Sequence, residues 1–361
     1  MTITAQSGIV GFGLQTGKGS LATTWYRMKA LSTSLGPITQ KQIAPPEIDG
    51  NNNPTGAYKS GSFYAGKTTV LPRLEDDFGN LLLGLTGYAA APVDNGDGTY
   101  THVFSQAPVA SGGAIFLPWM SFRRYIPGVD LTTDVGDIGL DCKISSGQFT
   151  LPQVGPLAVD FDVTGRVPTL DAAPDLWTWS GIAEAFKSVP MSMTGSFKLP
   201  SFDTNPLPAT GVRVTVLNNT TTVQEERIVG SYNPDDFATR QRVLQIEFTY
   251  KWRDPALYRF IYNGGDVSNG DFAPCLETTD LEITTEAPCD INPGTVDVPY
   301  KLVIKAPNVD WREAGSVTLA GDEIIQQSYT GIALEAASGN PEDYFQFELT
   351  NERSTQYAIP T

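Results

Sequence analysis

The stretch from Gln241 to Trp252 constrains this chain most. Leu244, Ile246, Phe248, Tyr250 and Trp252 alternate with Gln245, Glu247, Thr249 and Lys251. A period of two held over this length gives a single strand one apolar and one polar face. The segment therefore predicts a half-buried antiparallel strand, covered on one side and wet on the other. The pattern recurs at 138–144, where Ile138, Leu140, Cys142 and Ile144 oppose Asp141 and Lys143. It recurs at 157–163, with Val159, Phe161 and Val163 against Asp160 and Asp162. Segments 212–216, 300–304, 325–334 and 344–349 add strands, and Asp94-Asn95-Gly96-Asp97-Gly98 before Tyr100 reads as a hairpin tip.

Helices are few. Residues 74–85 open on Glu75-Asp76-Asp77, place Phe78, Leu81, Leu82 and Leu85 on one side and stop at Gly87. Asp254-Pro255 starts a second, carrying Leu257, Tyr258, Phe260 and Ile261, and a third short one is predicted at 181–186. The two main helices start roughly 180 residues apart, each after strands and before a turn-rich link and a hairpin. The fold class expected is mainly β, with two tandem β-sandwich or partial-barrel domains, each flanked by a short helix. Their boundaries are set at 1–178, with an N-terminal arm at 1–24 and a long loop at 35–64, and at 179–361. The seam falls around Trp177 and Trp179.

Composition removes several functions. Forty acidic against 24 basic side chains give a net charge of −16, and no basic cluster exists to neutralise phosphates. Cys142, Cys275 and Cys289 have neither metal-ligand nor disulfide-framework spacing, which fits reduced thiols. No run spans a membrane, and the first residues lack a signal peptide's pattern, so a soluble protein outside the general secretory route is expected. The glycine-rich "IVGFGLQTGKGS" at 9–20 invites a phosphate-loop reading and fails it. Only three residues separate Gly13 from Gly17-Lys18, and Gly19 sits where a Mg²⁺-binding hydroxyl belongs. His102 is the only histidine and has no nucleophile elbow beside it. Asp94–Asp97 lacks the calcium-loop spacing. Acidic pairs such as Glu225-Glu226 and Asp235-Asp236 could serve a glycoside hydrolase, but sequence does not give the carboxylate separation that chemistry needs, and such pairs are ordinarily solvated loop charges. No catalytic residue, cofactor or metal is expected.

Several motifs are similar to those of bacteriophage tail tube proteins. Thr4-Ala5-Gln6-Ser7-Gly8-Ile9-Val10-Gly11-Phe12-Gly13, Lys18-Gly19-Ser20, Pro45-Pro46-Glu47-Ile48 and Thr55-Gly56-Ala57-Tyr58 carry the resemblance at the start of the chain. Leu71-Pro72-Arg73-Leu74-Glu75-Asp76 continues it, and Ile228-Val229-Gly230-Ser231-Tyr232-Asn233-Pro234-Asp235-Asp236 and Asp254-Pro255-Ala256-Leu257-Tyr258 extend it into the second half. The resemblance implies a structural virion protein of a long, non-contractile, siphovirus-type tail. It implies stacked homo-oligomeric rings whose inner sheets join into a ring-wide β-barrel, the channel for genome ejection. Its partners would be further copies of itself, a tape measure protein, tail terminator and tip proteins, and phage DNA in unspecific transit. It would be made in the host cytoplasm and reside in the virion tail.

A duplicated tube domain would give trimeric rings with pseudo-sixfold symmetry rather than hexameric ones. DNA slides past a wall that does not attract it, so Asp141, Asp160, Asp162, Gln245, Glu247 and Gln326 are candidates to line the lumen. Ile3, Ile9, Val10, Phe12 and Lys18 are candidates for an arm between subunits. Two other classes stay open on sequence. One is a carbohydrate-binding, adhesin-like β protein using Trp177, Trp179 and Trp311, and the other is a β-rich polysaccharide hydrolase.

Overall fold

The computed structural model describes residues 7–44, 56–75, 77–107, 116–128, 134–171, 173–180, 186–253, 255–263, 278–292, 296–313, 324–336 and 338–361. The chain is mainly β. Before the midpoint run β1 (Ile9–Leu14), β2 (Tyr26–Met28), β3 (Ala30–Thr33), β4 (Gly36–Ile43), β5 (Ala57–Val70), β6 (Tyr88–Ala89), β7 (Val93–Asp94), β8 (Tyr100–Ser105), β9 (Met120–Ile126), β10 (Val135–Leu151) and β11 (Ala158–Asp171). After it run β12 (Met191–Lys198), β13 (Ala209–Leu217), β14 (Val243–Lys251), β15 (Thr279–Asn292), β16 (Val296–Glu313), β17 (Gln326–Ala333) and β18 (Gln346–Asn351). Helix α1 (Phe78–Thr86) follows β5 and α2 (Ala256–Asn263) follows β14.

Eight strand positions form one continuous antiparallel sheet. Its order is β3 with β4, then β5, β11, β10, β13, β14, β17 and β16. Toward its N-terminal end β10 keeps β11 on one side and exchanges β13 for another strand on the other, while β16 leaves β17 altogether. There β10 meets β9, which pairs with β1, and β16 meets β15 and β18, which pair with β12 and β8. Among the described residues no pairing runs from β16 back to β3 and β4, so the sheet has two open ends.

The connectivity occurs twice. β1 pairs with β9 as β12 pairs with β15, and β5 pairs with β11 as β14 pairs with β17. The hairpin of β10 and β11 has its counterpart in β16 and β17, and β3 with β4 takes the place of β13. Registers agree as well. Ala30 faces Val70 and Ala209 faces Tyr250, each just before a bulge, after which Ser32 faces Thr69 and Gly211 faces Thr249. Each second-half pair lies about 180 residues beyond its first-half counterpart.

One apolar core runs through both halves, from Phe12, Phe122 and Phe161 to Phe248, Tyr329 and Phe347. Helix α1 is buried all round, as a helix without a polar face must be. It begins at Phe78, after the acidic residues expected to form its first turn. Gly87 (φ +95°) ends it, in the left-handed region where a side chain would be strained, and its N–H donates to the Leu83 carbonyl.

Two expectations need correction. The "IVGFGLQTGKGS" segment is not a free arm from residue 9 onwards. Its first six residues are β1, paired with β2 and β9, with Val10, Phe12 and Leu14 in the core. The alternation there puts glycines on the opposite face, and a Cβ on Gly11 would strike the Trp179 ring. The loop expected over 35–64 is largely a hairpin of β4 and β5, whose sequence hides it because much of it is exposed on both faces. Of the short helix expected at 181–186, residues 181–185 lie outside the described residues, and a single 3₁₀ turn occupies Phe186–Ser188.

Candidate functional site

Residues directly opposite in an antiparallel sheet point to the same side, so the registers define rows of side chains. One row crosses all eight strand positions unbroken: Ser32, Thr69, Asp160, Gln148, Thr215, Gln245, Ile332 and Asp310. The next row toward one end holds Lys67, Asp162 and Ser146, continuing into Leu217 and Val243. On the other side lie Thr150, Arg213, Glu247, Thr330 and Arg312, then Thr249 with Ser328, then Lys251 with Gln326. The alternate residues, among them Val159, Phe161, Val214, Ile246 and Tyr329, are buried in the core. The sheet thus presents one broad polar face.

The charges on this face cancel. Lys67, Arg213, Lys251 and Arg312 stand against Asp160, Asp162, Glu247 and Asp310. Most are paired at once: Lys67 to Asp160 at 2.8 Å, Arg213 to Glu247 at 2.9 Å and Arg312 to Asp310 at 3.2 Å. Hydroxyls take up remaining acceptors. Thr69 donates to Asp160 at 2.5 Å and Ser146 to Asp162 at 2.6 Å, and Thr249 bonds Ser328 at 3.1 Å. The excess of −16 is therefore carried elsewhere on the chain. On this face a depression of about 530 Å³ is lined by Thr150, Arg213, Glu247, Thr249, Ser328 and Thr330 from four strands.

Five of the six residues singled out from sequence for a lumen wall share this face: Asp160, Asp162, Gln245, Glu247 and Gln326. Asp141 does not. It is fully buried with φ +54°, accepts the Gly19 N–H at 2.6 Å and pairs with Arg166 at 2.5 Å. The sequence missed Lys67, Arg213 and Arg312, because basic partners of acidic residues become visible only once the register is known. Of the arm candidates, Val10 and Phe12 are core residues and Ile9 is half-buried in β1. Lys18 pairs with Asp235 at 3.2 Å, and Ile3 lies outside the described residues.

The other candidate chemistries dissolve in their surroundings. Trp311 is buried, with its indole N–H on Thr279, and Trp177 and Trp179 enclose the Arg123 guanidinium together with Trp25. None offers the flat exposed ring that a sugar stacks on. Glu225 is held down to about pKa 2 by hydrogen bonds from Thr222 and Arg240, the opposite of a general acid's requirement. Asp235 and Asp236 are tied to Lys18 and Lys143. His102 is buried, with Nε2 2.8 Å from the Arg353 carbonyl.

Within the sheet, β10 is where the halves meet, since Ser146–Leu151 pairs with Val212–Leu217 of β13. Just beyond, Asn218 donates to the carbonyls of Leu85 and Ile144, and Arg242 to those of Thr86 and Leu85. Two residues of the second half thereby finish the C-terminal end of α1, where unpaired carbonyls and the helix dipole favour a cation. Burial pulls the Arg242 pKa down to about 10, which leaves it charged at neutral pH.

The phage tail tube protein family matches residues 9–333, a span that takes in both copies of the repeated connectivity. The chain belongs to that family. A member is a structural component of the virion tail and assembles with copies of itself into the tube. No curated protein matches the chain. The family places no catalytic demand on the polar face, which suits a surface whose charges are spent on one another. Among the described residues no helix is long and apolar enough to cross a membrane.

Proposed function

We propose that this tail tube protein forms stacked rings in a long, non-contractile phage tail, with the polar face of the eight-position sheet lining the channel through which the genome leaves. The observation carrying the proposal is that face: continuous across the sheet and electrically balanced. A basic wall would hold DNA by counterion release, and a strongly acidic one would raise a repulsive barrier along the whole path. A wall of paired charges and hydroxyls does neither. Asp160, Asp162, Gln245, Glu247 and Gln326 are then wall residues, and Asp141 is a structural one.

The repeated connectivity supports two tube domains, 1–178 and 179–361, and hence three chains per ring with pseudo-sixfold symmetry. Three sheets supply 24 strand positions. At about 4.8 Å per strand and the tilt usual in barrels, the wall is about 40–50 Å across between opposite backbones. Assembly would take place in the host cytoplasm, around a tape measure protein and between tip and terminator proteins, with DNA passing unbound. Negative-stain microscopy of the concentrated protein tests the proposal. Rings or tubes are the expected result, and a protein that stays monomeric at every concentration and binds glycans on an array would overturn it.

A further inference from the structure

The internal seam also specifies a joint between copies. We infer that β3 and β4 of one copy pair antiparallel with the C-terminal end of β16 in the next, in the register already used between β10 and β13. The inference rests on the tube reading and assigns its lateral interface.

The repeat makes the assignment residue by residue. Leu217 faces Val243 as Ile38 faces Phe63, so Ile38 holds the place of Leu217. Ser146 faces Asp162 just after a bulge, and Arg312 faces Thr330 at the matching point of the second hairpin, so Arg312 holds the place of Ser146. Within the chain Ser146 faces Leu217. The same operation applied once more puts Arg312 of one copy opposite Ile38 of the next.

Both positions are ready for it. Among the described residues the outer edge of β3 and β4 carries no strand, and Asp310–Glu313 pairs with β17 alone. Ile38 and the Arg312 side chain are exposed, though an open sheet edge is otherwise a template that proteins cover. Edge to opposite edge is a head-to-tail contact, which closes into a ring if the rotation from one copy to the next closes. The copied register would carry the polar face unbroken from one chain to the next. One backbone difference separates the joint from the seam: Pro37 stands where β13 has Val216, and it brings no N–H to the ladder.

Paired cysteines test the joint. Directly opposite Cα atoms in antiparallel strands lie about 4.5–5.5 Å apart, within disulfide range. In a background with Cys275 and Cys289 changed to Ser, the double variant Ile38→Cys/Arg312→Cys is polymerised and oxidised. Covalent dimers and trimers are expected in denaturing gels, with neither single variant giving them. Ser146→Cys/Leu217→Cys, the seam counterpart, is expected to cross-link inside one chain and reports that the geometry and fold are intact. Charge variants provide a second test. Ile38→Arg, placed opposite Arg312, is expected to raise the critical concentration for tube growth about tenfold, and Ile38→Glu is not. Tubes that form normally yet cross-link only through displaced pairs such as Gln40→Cys/Arg312→Cys, or not at all, would overturn the register while leaving the tube reading intact. Absence of tubes from the unmodified protein would overturn both.

Discussion

The seam inside the chain and the open edge of β3 and β4 occupy equivalent places in the repeat, one paired on both sides and the other on one side among the described residues. At the seam, β13 is paired on both sides, and Asn218 just after it and Arg242 just before β14 are buried against the end of α1. At the open edge the equivalent pair is Thr39 and Ser62, opposite each other in the β4–β5 hairpin, with Thr39 exposed. A joint that forms once, during folding, can bury an arginine and a full ladder of strand bonds. The open edge has small hydroxyls and a proline in the equivalent places. The bulky, buried part of the repeat is thus confined to the internal copy, and the open edge carries the small residues.

The largest expected effect lies beneath the first half. Phe12→Ala removes a fully buried ring between Tyr26 and Phe122 and is expected to cost about 3–5 kcal/mol of monomer stability in chemical denaturation. A loss under 1 kcal/mol would mean that β1 is an arm after all and that the first half is built differently from the second. Next comes the seam. Arg242→Ala strips donors from two buried helix-end carbonyls and should cost about 2–4 kcal/mol, whereas Ser62→Ala at the edge should stay within about 0.5 kcal/mol. Equal effects at the two positions would erase the distinction between seam and edge.

The smallest effects belong to the polar face. Lys67→Ala is expected to change stability by less than about 1 kcal/mol, since its pair with Asp160 is half in water. The hydrogen bond to Asp160 raises the Lys67 pKa above 10.5 in the folded chain, against a smaller opposing contribution from burial. A raised base stabilises the fold below its unfolded pKa and loses that contribution as pH climbs through the folded one. The difference between wild type and Lys67→Ala should therefore be constant at neutral pH and shrink only in strong alkali. Asp236 behaves in the opposite sense. Burial would raise its pKa, but the Lys143 ammonium and the Phe237 N–H outweigh burial and lower it overall. Its contribution is present above the ordinary carboxylate pKa and fades as pH falls through the lowered value, so acid should loosen the 222–240 loop first. Hydrogen exchange along a pH series would follow that, and a loop that loosens in alkali instead would contradict it.

Most of the sheet was legible because alternation is written in single strands: 157–163 and 241–252 announce both their pleat and their wet face. The repeat was legible as an order of elements, and its helices were found within a few residues. What stayed hidden depends on partners. Residues 9–14 alternate as regularly as the other strands, but their small face is glycine packed on Trp179, which sequence reads as flexibility. The β4–β5 hairpin lacks a buried face along much of its length, so period two carries no apolar signal there. Asp141 fits the outward alternation of 138–144 but turns inward at a positive φ to meet Arg166, 25 residues away in sequence. The balance of charge on the polar face could not be seen either, because the count of −16 belongs to the whole chain and the pairing to the register.

If three chains close their sheets edge to edge with the polar face inward, helical reconstruction of the tubes by cryo-electron microscopy should show it. Three copies per ring are expected, with a wall of 24 strand positions and Thr69, Asp160, Gln148, Thr215 and Gln245 facing the lumen in one row. Six copies per ring, or that row turned to the outside of the tube, would contradict it.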